Sequence, residues 1–189
     1  MPVSRSTSDA DVPLVLVDDG GRPLGISPKF EAHVRGLKHL AISVVVANRE
    51  GELLMQQRAP GKYHSGGLWT NTCCSHPYPG EAVDAAAYRR LGEEMGIACA
   101  LQPMFATAYR AQLANGLIEN EFVHVFGGIC DRDPAPDPRE VVAWRWQSLG
   151  DIRQDLKSRP DAYSAWFEIY INNYASSFIE LTRGSARQS

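Results

Sequence analysis

Hydrophobic and polar positions follow two periods along this chain. "LAISVVVANREGELLMQQRA" holds two β-rich runs joined at "NREGE", a pattern that predicts a β-hairpin. Ahead of it, "PLVLVDDGGRPLG" reads as a short strand and a Gly-rich turn. From Glu81 to Met95 the period changes to that of a helix. Val83, Ala87, Leu91 and Met95 recur every four residues as one apolar stripe. Arg89–Glu93 and Arg90–Glu94 are spaced i,i+4 beside it, and Gly96 fits a C-terminal stop. Between hairpin and helix lies a long Gly- and Pro-rich loop, "APGKYHSGGLWTNTCCSHPYPG", of a length that is often functional. Two more strands, "ENEFVHVFGGIC" and "VVAWRWQSL", flank the Pro-rich turn "DRDPAPDPRE". A terminal helix is expected to carry Trp166, Tyr170, Tyr174 and Phe178 at four-residue spacing. Strands flanked by helices without regular alternation predict an α+β sandwich. One domain is expected over residues 13–182, between flexible tails at 1–12 and 183–189, with no internal repeat.

Composition narrows the function. The chain has 189 residues, 44% of them hydrophobic, and a net charge of −3, so a single core is well supplied. Lys and Arg form no dense tract, which removes electrostatic support for a nucleic-acid groove or a membrane-surface helix. The opening residues are polar, and the longest apolar run, "LAISVVVA", is too short to span a bilayer. A cytoplasmic protein with free thiols is therefore expected. The four cysteines, Cys73, Cys74, Cys99 and Cys130, include no C-x-x-C pair, so a zinc ribbon or thioredoxin-type motif is excluded. Cys99 and Cys130 sit in apolar runs and read as core.

Glu119 and Glu121 are two apart on a predicted strand and point to the same face. Like charges side by side are costly unless water, a proton or a cation separates them. The plain reading is a solvated face, but this strand continues into the apolar "FVHVFGGIC". Asn120, Phe122 and His124 point the other way, which removes His124 from any site built on the carboxylates. His33, His39 and His76 remain as nitrogen ligands, with His64 a lesser candidate. A lone histidine is ordinarily structural, and the six-residue step from His33 to His39 aligns them on no helix. Three histidines with a same-face carboxylate pair would suit zinc or manganese better than magnesium, which prefers oxygen. If "CCSH" is extended, Cys74 shares the face of His76 and Cys73 is the packing residue. Glu81, Glu93 and Glu94 form an acidic cluster whose plain reading is an ion-paired surface helix.

Together these pieces resemble the Nudix fold, an α/β/α sandwich with a mixed sheet. The helix signature runs from Ser75 through Glu81, Arg89, Arg90, Leu91, Glu93, Glu94 and Gly96 to Ile97. It departs at Ser75, where the pattern has glycine, and at Arg90, where it has glutamate. Nudix hydrolases hold magnesium with that run of carboxylates, so a cation at position 90 should weaken hydrolysis and help retain a diphosphate. "LKHLAISV", "GLWTNTCCSHP", "YRRLGEEMGI", "AYRA", "NGLIENE" and "SAW" extend the resemblance to type I isopentenyl diphosphate isomerases. That resemblance implies a divalent metal, manganese or zinc, on His33, His39, His76, Glu119 and Glu121. It implies magnesium on Glu94, bridging to the substrate diphosphate. It also places Cys74 and Glu121 on opposite sides of the substrate carbons, with Tyr109 and Trp166 assisting, and assigns Lys29, Arg58, Lys62 and Arg90 to the diphosphate. The implied chemistry is acid–base transfer through a tertiary cation, with Glu121 relayed through Tyr109 as one proton-transfer group. An aromatic face such as Trp166 would favour that cation by roughly 2 kcal/mol or more. Nearby cationic charge is expected to bring the Cys74 thiol toward neutrality for the other transfer.

Two other readings compete. A Nudix hydrolase of a nucleoside diphosphate derivative is disfavoured by Arg90 and by the histidine set, which hydrolysis does not require. A metal-stabilised binding module would leave Cys74, Tyr109 and Trp166 without a shared purpose. The expected partner is a small isoprenoid diphosphate, with no nucleic acid and no membrane, and the protein is expected to be a monomer.

Overall fold

The computed structural model describes residues 9–113 and 115–186. The fold is organised on β3 (His39–Ala47), which is buried along its whole length. One edge of β3 pairs in parallel with β8 (Ile118–Ile129), from His39 opposite Glu121 to Ala47 opposite Ile129. A strand covered on both faces needs a near-continuous apolar run, which "LAISVVVA" supplies. The remaining partners of β3 divide its length. β1 (Pro13–Val17) meets it at His39, and β6 (Cys73–Ser75) pairs with Ile42 to Val44. β2 (Pro23–Pro28) extends the sheet beyond β1, and β7 (Leu101–Gln112) lies antiparallel on β8.

The expected hairpin is realised only at its turn. β4 (Glu52–Arg58) contacts β3 in register at Ala47–Leu53 alone, then pairs along its length with β9 (Val141–Ser148). The cause is a polar wedge. Thr72 Oγ1 accepts from Val46 N at 2.9 Å and donates to Leu54 O at 2.8 Å, while Asn71 Nδ2 donates to Val44 O. These side chains take the backbone bonds that a continued β3–β4 pairing would have made. The long loop is accordingly broken by two short strands, β5 (Trp69–Thr70) and β6.

Helices cover both faces. α2 (Val83–Met95) lays Ala87, Leu91 and Met95 against Ile42, Val44, Val46 and Cys73. It begins two residues later than Glu81 and ends at Gly96, whose φ of +65° and contact with the Ala135 carbonyl leave no room for a Cβ. On the opposite face Phe167, Tyr170 and Phe178 pack on Ala41, Val45 and Val125. The terminal helix is two helices, α4 (Ala165–Asn173) and α5 (Ala175–Ala186), rather than the continuous one expected. The break falls at Tyr174, after two asparagines that favour helix ends. There Tyr174 stacks on Phe105 at 4.0 Å and donates to Thr107 Oγ1 at 2.6 Å. α1 (Lys29–Arg35) and α3 (Leu149–Ser158) complete an α/β/α sandwich with a mixed sheet.

Of the expected tails, residues 1–8 and 187–189 lie outside the described residues; Asp9–Asp11 form a 3-10 turn, and α5 runs to Ala186. Among the described residues, no helix is long and apolar enough to cross a membrane.

Candidate active site

Register builds the centre of the site. His39, Glu121 and Tyr109 are direct neighbours on β3, β8 and β7, and Glu119 lies two residues from Glu121 on the same face. Both carboxylates are buried, so the solvated-face reading fails. Tyr109 donates its hydroxyl to Glu121 Oε2 at 2.6 Å. His76 Nε2 stands 3.1 Å from Glu121 Oε1, and His39 Nε2 stands 3.7 Å from that oxygen and 3.9 Å from Glu119 Oε2. α1 brings in His33, whose Nε2 is 3.0 Å from Glu119 Oε1. His124 lies on the other face of β8, against Phe122.

Two of the histidines have their tautomer fixed by the backbone. His33 Nδ1 can only donate to the Lys29 carbonyl at 2.7 Å, and His39 Nδ1 to the Leu37 carbonyl at 2.9 Å. In a neutral ring each then turns a bare Nε2 toward a carboxylate, an arrangement of facing acceptors that a proton or a metal cation reconciles. Burial lowers the His39 pKa, but the adjacent Glu121 and Glu119 raise it on balance. Among the described residues, His39 Nε2 and Glu119 Oε2 are both buried without a hydrogen-bond partner. Orphaned acceptors 3–4 Å apart, with nitrogen and oxygen donors around them, fit a divalent ion with ligand bonds of about 2.0–2.2 Å. The buried His/Glu cluster is thus compatible with metal binding. Burial opposes ionisation of Glu119, yet the adjacent His33 and His64 hold its carboxyl well below the usual range. Burial pushes His76 down to about 4, against the pull of Glu121, which keeps its imidazole neutral.

β6 separates the two cysteines as parity requires. Cys73 is fully buried among Ile42, Val44 and the α2 side chains. Cys74 opens into the pocket, donates to Asn71 Oδ1 at 3.2 Å, and lies 3.2 Å from Ser43 Oγ, which also meets the Tyr170 hydroxyl. The expected low-pKa thiol is not found. Burial pushes Cys74 up to about 11, outweighing its contact with the Ser43 hydroxyl and the charge of Arg58. Cys130 is buried and Cys99 half-buried, both as free thiols.

The pocket wall carries Lys29, Arg58, Lys62 and Arg90 together with Cys74, His76, Tyr109, Glu119, Glu121 and Trp166. His33 and His39 are fully buried and do not line the wall. Lys29 Nζ sits 5.2 Å from the Tyr63 ring centre, and the Arg58 guanidinium 5.3 Å from that of Trp166. Lys62 pairs with Glu140, and Arg90 pairs with Glu94 and, at 3.4 Å, with Glu140. Glu94 is 1% exposed, accepts from Gln56 Nε2 at 3.3 Å, and does not reach the wall. Glu81 is occupied by a two-bond contact to Arg89. Two residues of this neighbourhood carried little sequence signal. Glu140 lies in the Pro-rich turn, and His64 lies in the loop, 2.9 Å from Glu119 Oε1.

The NUDIX domain model matches residues 37–167. The crystal structure of DR0079 from Deinococcus radiodurans superposes with a TM-score of 0.69 at 15% identity, covering 86% of this chain and 99% of that one. Sandwich, signature helix and adjoining pocket are those of a NUDIX-domain protein. Closer in sequence are isopentenyl-diphosphate Delta-isomerases. That of Pectobacterium atrosepticum is 53% identical over 156 residues, 82% of this chain and 87% of that protein. That of Burkholderia multivorans is 52% identical over 158 residues, 84% of this chain and 90% of that protein. The chain belongs to the isopentenyl-diphosphate Delta-isomerase family.

Proposed function

We propose that this pocket interconverts isopentenyl and dimethylallyl diphosphate, with Cys74 and Glu121 as the two proton-transfer groups. The observation that carries the reading is the convergence of Cys74, Glu121 and Tyr109 on a wall that also bears five cations, Lys29, Arg58, Lys62, Arg89 and Arg90. A five-carbon diphosphate matches both halves of that wall. One group adds a proton to the terminal alkene carbon, which leaves a tertiary cation at the substituted carbon beside it. The other removes a proton from the CH2 on the far side of that cation, and the double bond moves with no net gain or loss of atoms. The two groups exchange acid and base roles with the direction of reaction. Tyr109 keeps Glu121 oriented and shares its proton. Trp166 offers an aromatic face to the intervening cation, an interaction worth roughly 2 kcal/mol when desolvated.

His33, His39, His76, Glu119 and Glu121 would hold one manganese or zinc ion, which when bound supplies positive charge that fixes and acidifies the Glu121 end of the site. Glu94 would serve a magnesium ion accompanying the diphosphate, Arg90 then turning from Glu94 to phosphate oxygens. The near-neutral charge supports a small-molecule partner rather than nucleic acid or membrane, and the reading is completed by a cytoplasmic monomer.

The test is to incubate the protein with isopentenyl diphosphate and magnesium, without flavin, and follow the product by proton NMR. Dimethylallyl diphosphate is the expected product. Release of phosphate from nucleotide substrates in place of isomerisation would favour the hydrolase.

A further inference from the structure

Four histidines converge on the two carboxylates of β8, and the metal centre proposed above uses three. His64 is the fourth. It is 8% exposed, and its Nε2 approaches at 2.9 Å the same Glu119 oxygen that His33 Nε2 approaches at 3.0 Å.

Its ring nitrogens are set differently from those of His33 and His39. Among the described residues, the neighbour of its Nδ1 is the Ser65 hydroxyl, at 3.4 Å, rather than a backbone carbonyl. An ionised carboxylate can only accept, so Nε2 carries the proton toward Glu119, which leaves Nδ1 of the neutral ring to accept from the Ser65 hydroxyl. His64 therefore faces Glu119 as a donor, where His33 and His39 face the carboxylates with lone pairs. Glu119 Oε1 has two lone pairs and can accept from His64 while serving a cation with the other.

The loop is shaped to deliver this contact. Its neck is closed by Arg58 N to Leu68 O at 3.0 Å and Gly67 N to Arg58 O at 2.9 Å. Ser65 holds a left-handed φ of +52°, and a Cβ on Gly66 would fall 2.5 Å from the Pro60 carbonyl. The same residue reaches the other half of the pocket. The His64 carbonyl accepts from Arg58 Nη2 at 3.1 Å, and its ring stands edge-on to Trp166 with centroids 6.0 Å apart.

We propose that His64 is a positioning residue that donates Nε2–H to Glu119, and through its carbonyl holds Arg58, so that one loop residue ties the metal carboxylate to a diphosphate-binding cation. The inference rests on the metal-centre reading given above. By fixing Oε1, His64 leaves Oε2 turned toward His39 Nε2. It is not itself a ligand.

The test is a manganese(II) titration of wild type, H64F, H64A and H64Q by electron paramagnetic resonance against a competing chelator, with pulsed measurements counting coordinated imidazoles. Loss of an orienting partner of this kind costs about 10–100-fold in metal affinity. H64F keeps an aromatic ring against Trp166 but has no donor, so it should show that loss. H64A should show it too, should the bulkier variant fail to fold. H64Q retains an N–H donor and should recover most of the affinity, a rescue that a merely structural role would not give. The imidazole count should be the same in wild type and H64A. Unchanged affinity in both donor-free variants would overturn the inference alone. A count that falls by one in H64A would make His64 a ligand and overturn it equally. Wild type that binds no manganese tightly would overturn the metal centre and the inference with it.

Discussion

The Tyr109 hydroxyl and Glu121 Oε2 lie 2.6 Å apart as direct partners across the β7–β8 pair. Burial raises the Tyr109 pKa well above its ordinary value, and the charge of Glu121 raises it further, so the hydroxyl stays protonated. Replacing Tyr109 by Phe removes that proton and keeps the ring. The turnover number should fall by about 10²-fold or more while KM changes little. Steady-state kinetics, with metal content measured on the same sample, check both parts.

Arg90 occupies the signature position where a carboxylate is the rule, and here it bonds Glu94, Glu93 and Glu140 from the pocket wall. Arg90→Glu should raise KM for the diphosphate by about tenfold or more, since a charge-assisted hydrogen bond contributes about 1.5–3 kcal/mol. It should not produce a hydrolase, because a hydrolytic site also needs a positioned water. Glu94→Gln should abolish productive diphosphate binding and leave the metal on the histidines in place. Metal analysis of desalted protein distinguishes the two sites: loss of all metal from that variant would contradict their separation.

Cys73 and Cys74 are adjacent yet face different layers of the sandwich. Cys74→Ala should remove nearly all turnover while diphosphate binding survives. Cys73→Ala should keep most activity and lose about 1 kcal/mol of stability, the usual scale for a small core truncation. An epoxide analogue of the substrate should label Cys74, and bound product should protect it. Peptide mass spectrometry that finds the label on Cys73 would contradict the assignment.

Strand periodicity made the Glu119/Glu121 pair and the Cys73/Cys74 division legible in the sequence, because alternation along a strand fixes the face of every side chain. The α2 stripe and its glycine stop were legible for the same kind of reason. The β3–β4 hairpin was legible at its turn, where Ala47 pairs with Leu53, but not the early divergence of its strands, because the deciding wedge, Asn71 and Thr72, comes from elsewhere in the chain. The single terminal helix was misread because the four-residue aromatic spacing runs on through Tyr174, whose stacking on Phe105 is a long-range contact. His64 was only a lesser candidate because its aim depends on the turn at Ser65 rather than on any period. Lowering of the Cys74 pKa was expected from nearby cations, but the depth of the thiol was not visible and proved the larger effect.

Asp155 gathers Arg159, Tyr163, Gln147 and Arg145 around one carboxylate. The hydrogen bond from Arg159 leads in holding its pKa down to about 2, from an ordinary 3.8. A depressed carboxyl stabilises the folded state fully above its unfolded pKa and loses that contribution as pH falls through the folded one. Asp155→Asn should therefore melt at a lower temperature than wild type at neutral pH. The gap should close as the pH is taken from about 4 to about 2. Thermal melts across that window check it, and a gap independent of pH would exclude the carboxylate as its source.

The central claim is that Cys74 and Glu121 move protons across one bound diphosphate and break no phosphate bond. Its most direct test is to run wild type on isopentenyl diphosphate in deuterium oxide with magnesium and to analyse the diphosphate product by NMR and mass spectrometry. Dimethylallyl diphosphate carrying solvent deuterium in a methyl group is expected, with both phosphates intact and the signal gone in Cys74→Ala. Isomerised product without deuterium, product formed equally by Cys74→Ala, or release of phosphate instead of isomerisation would contradict it.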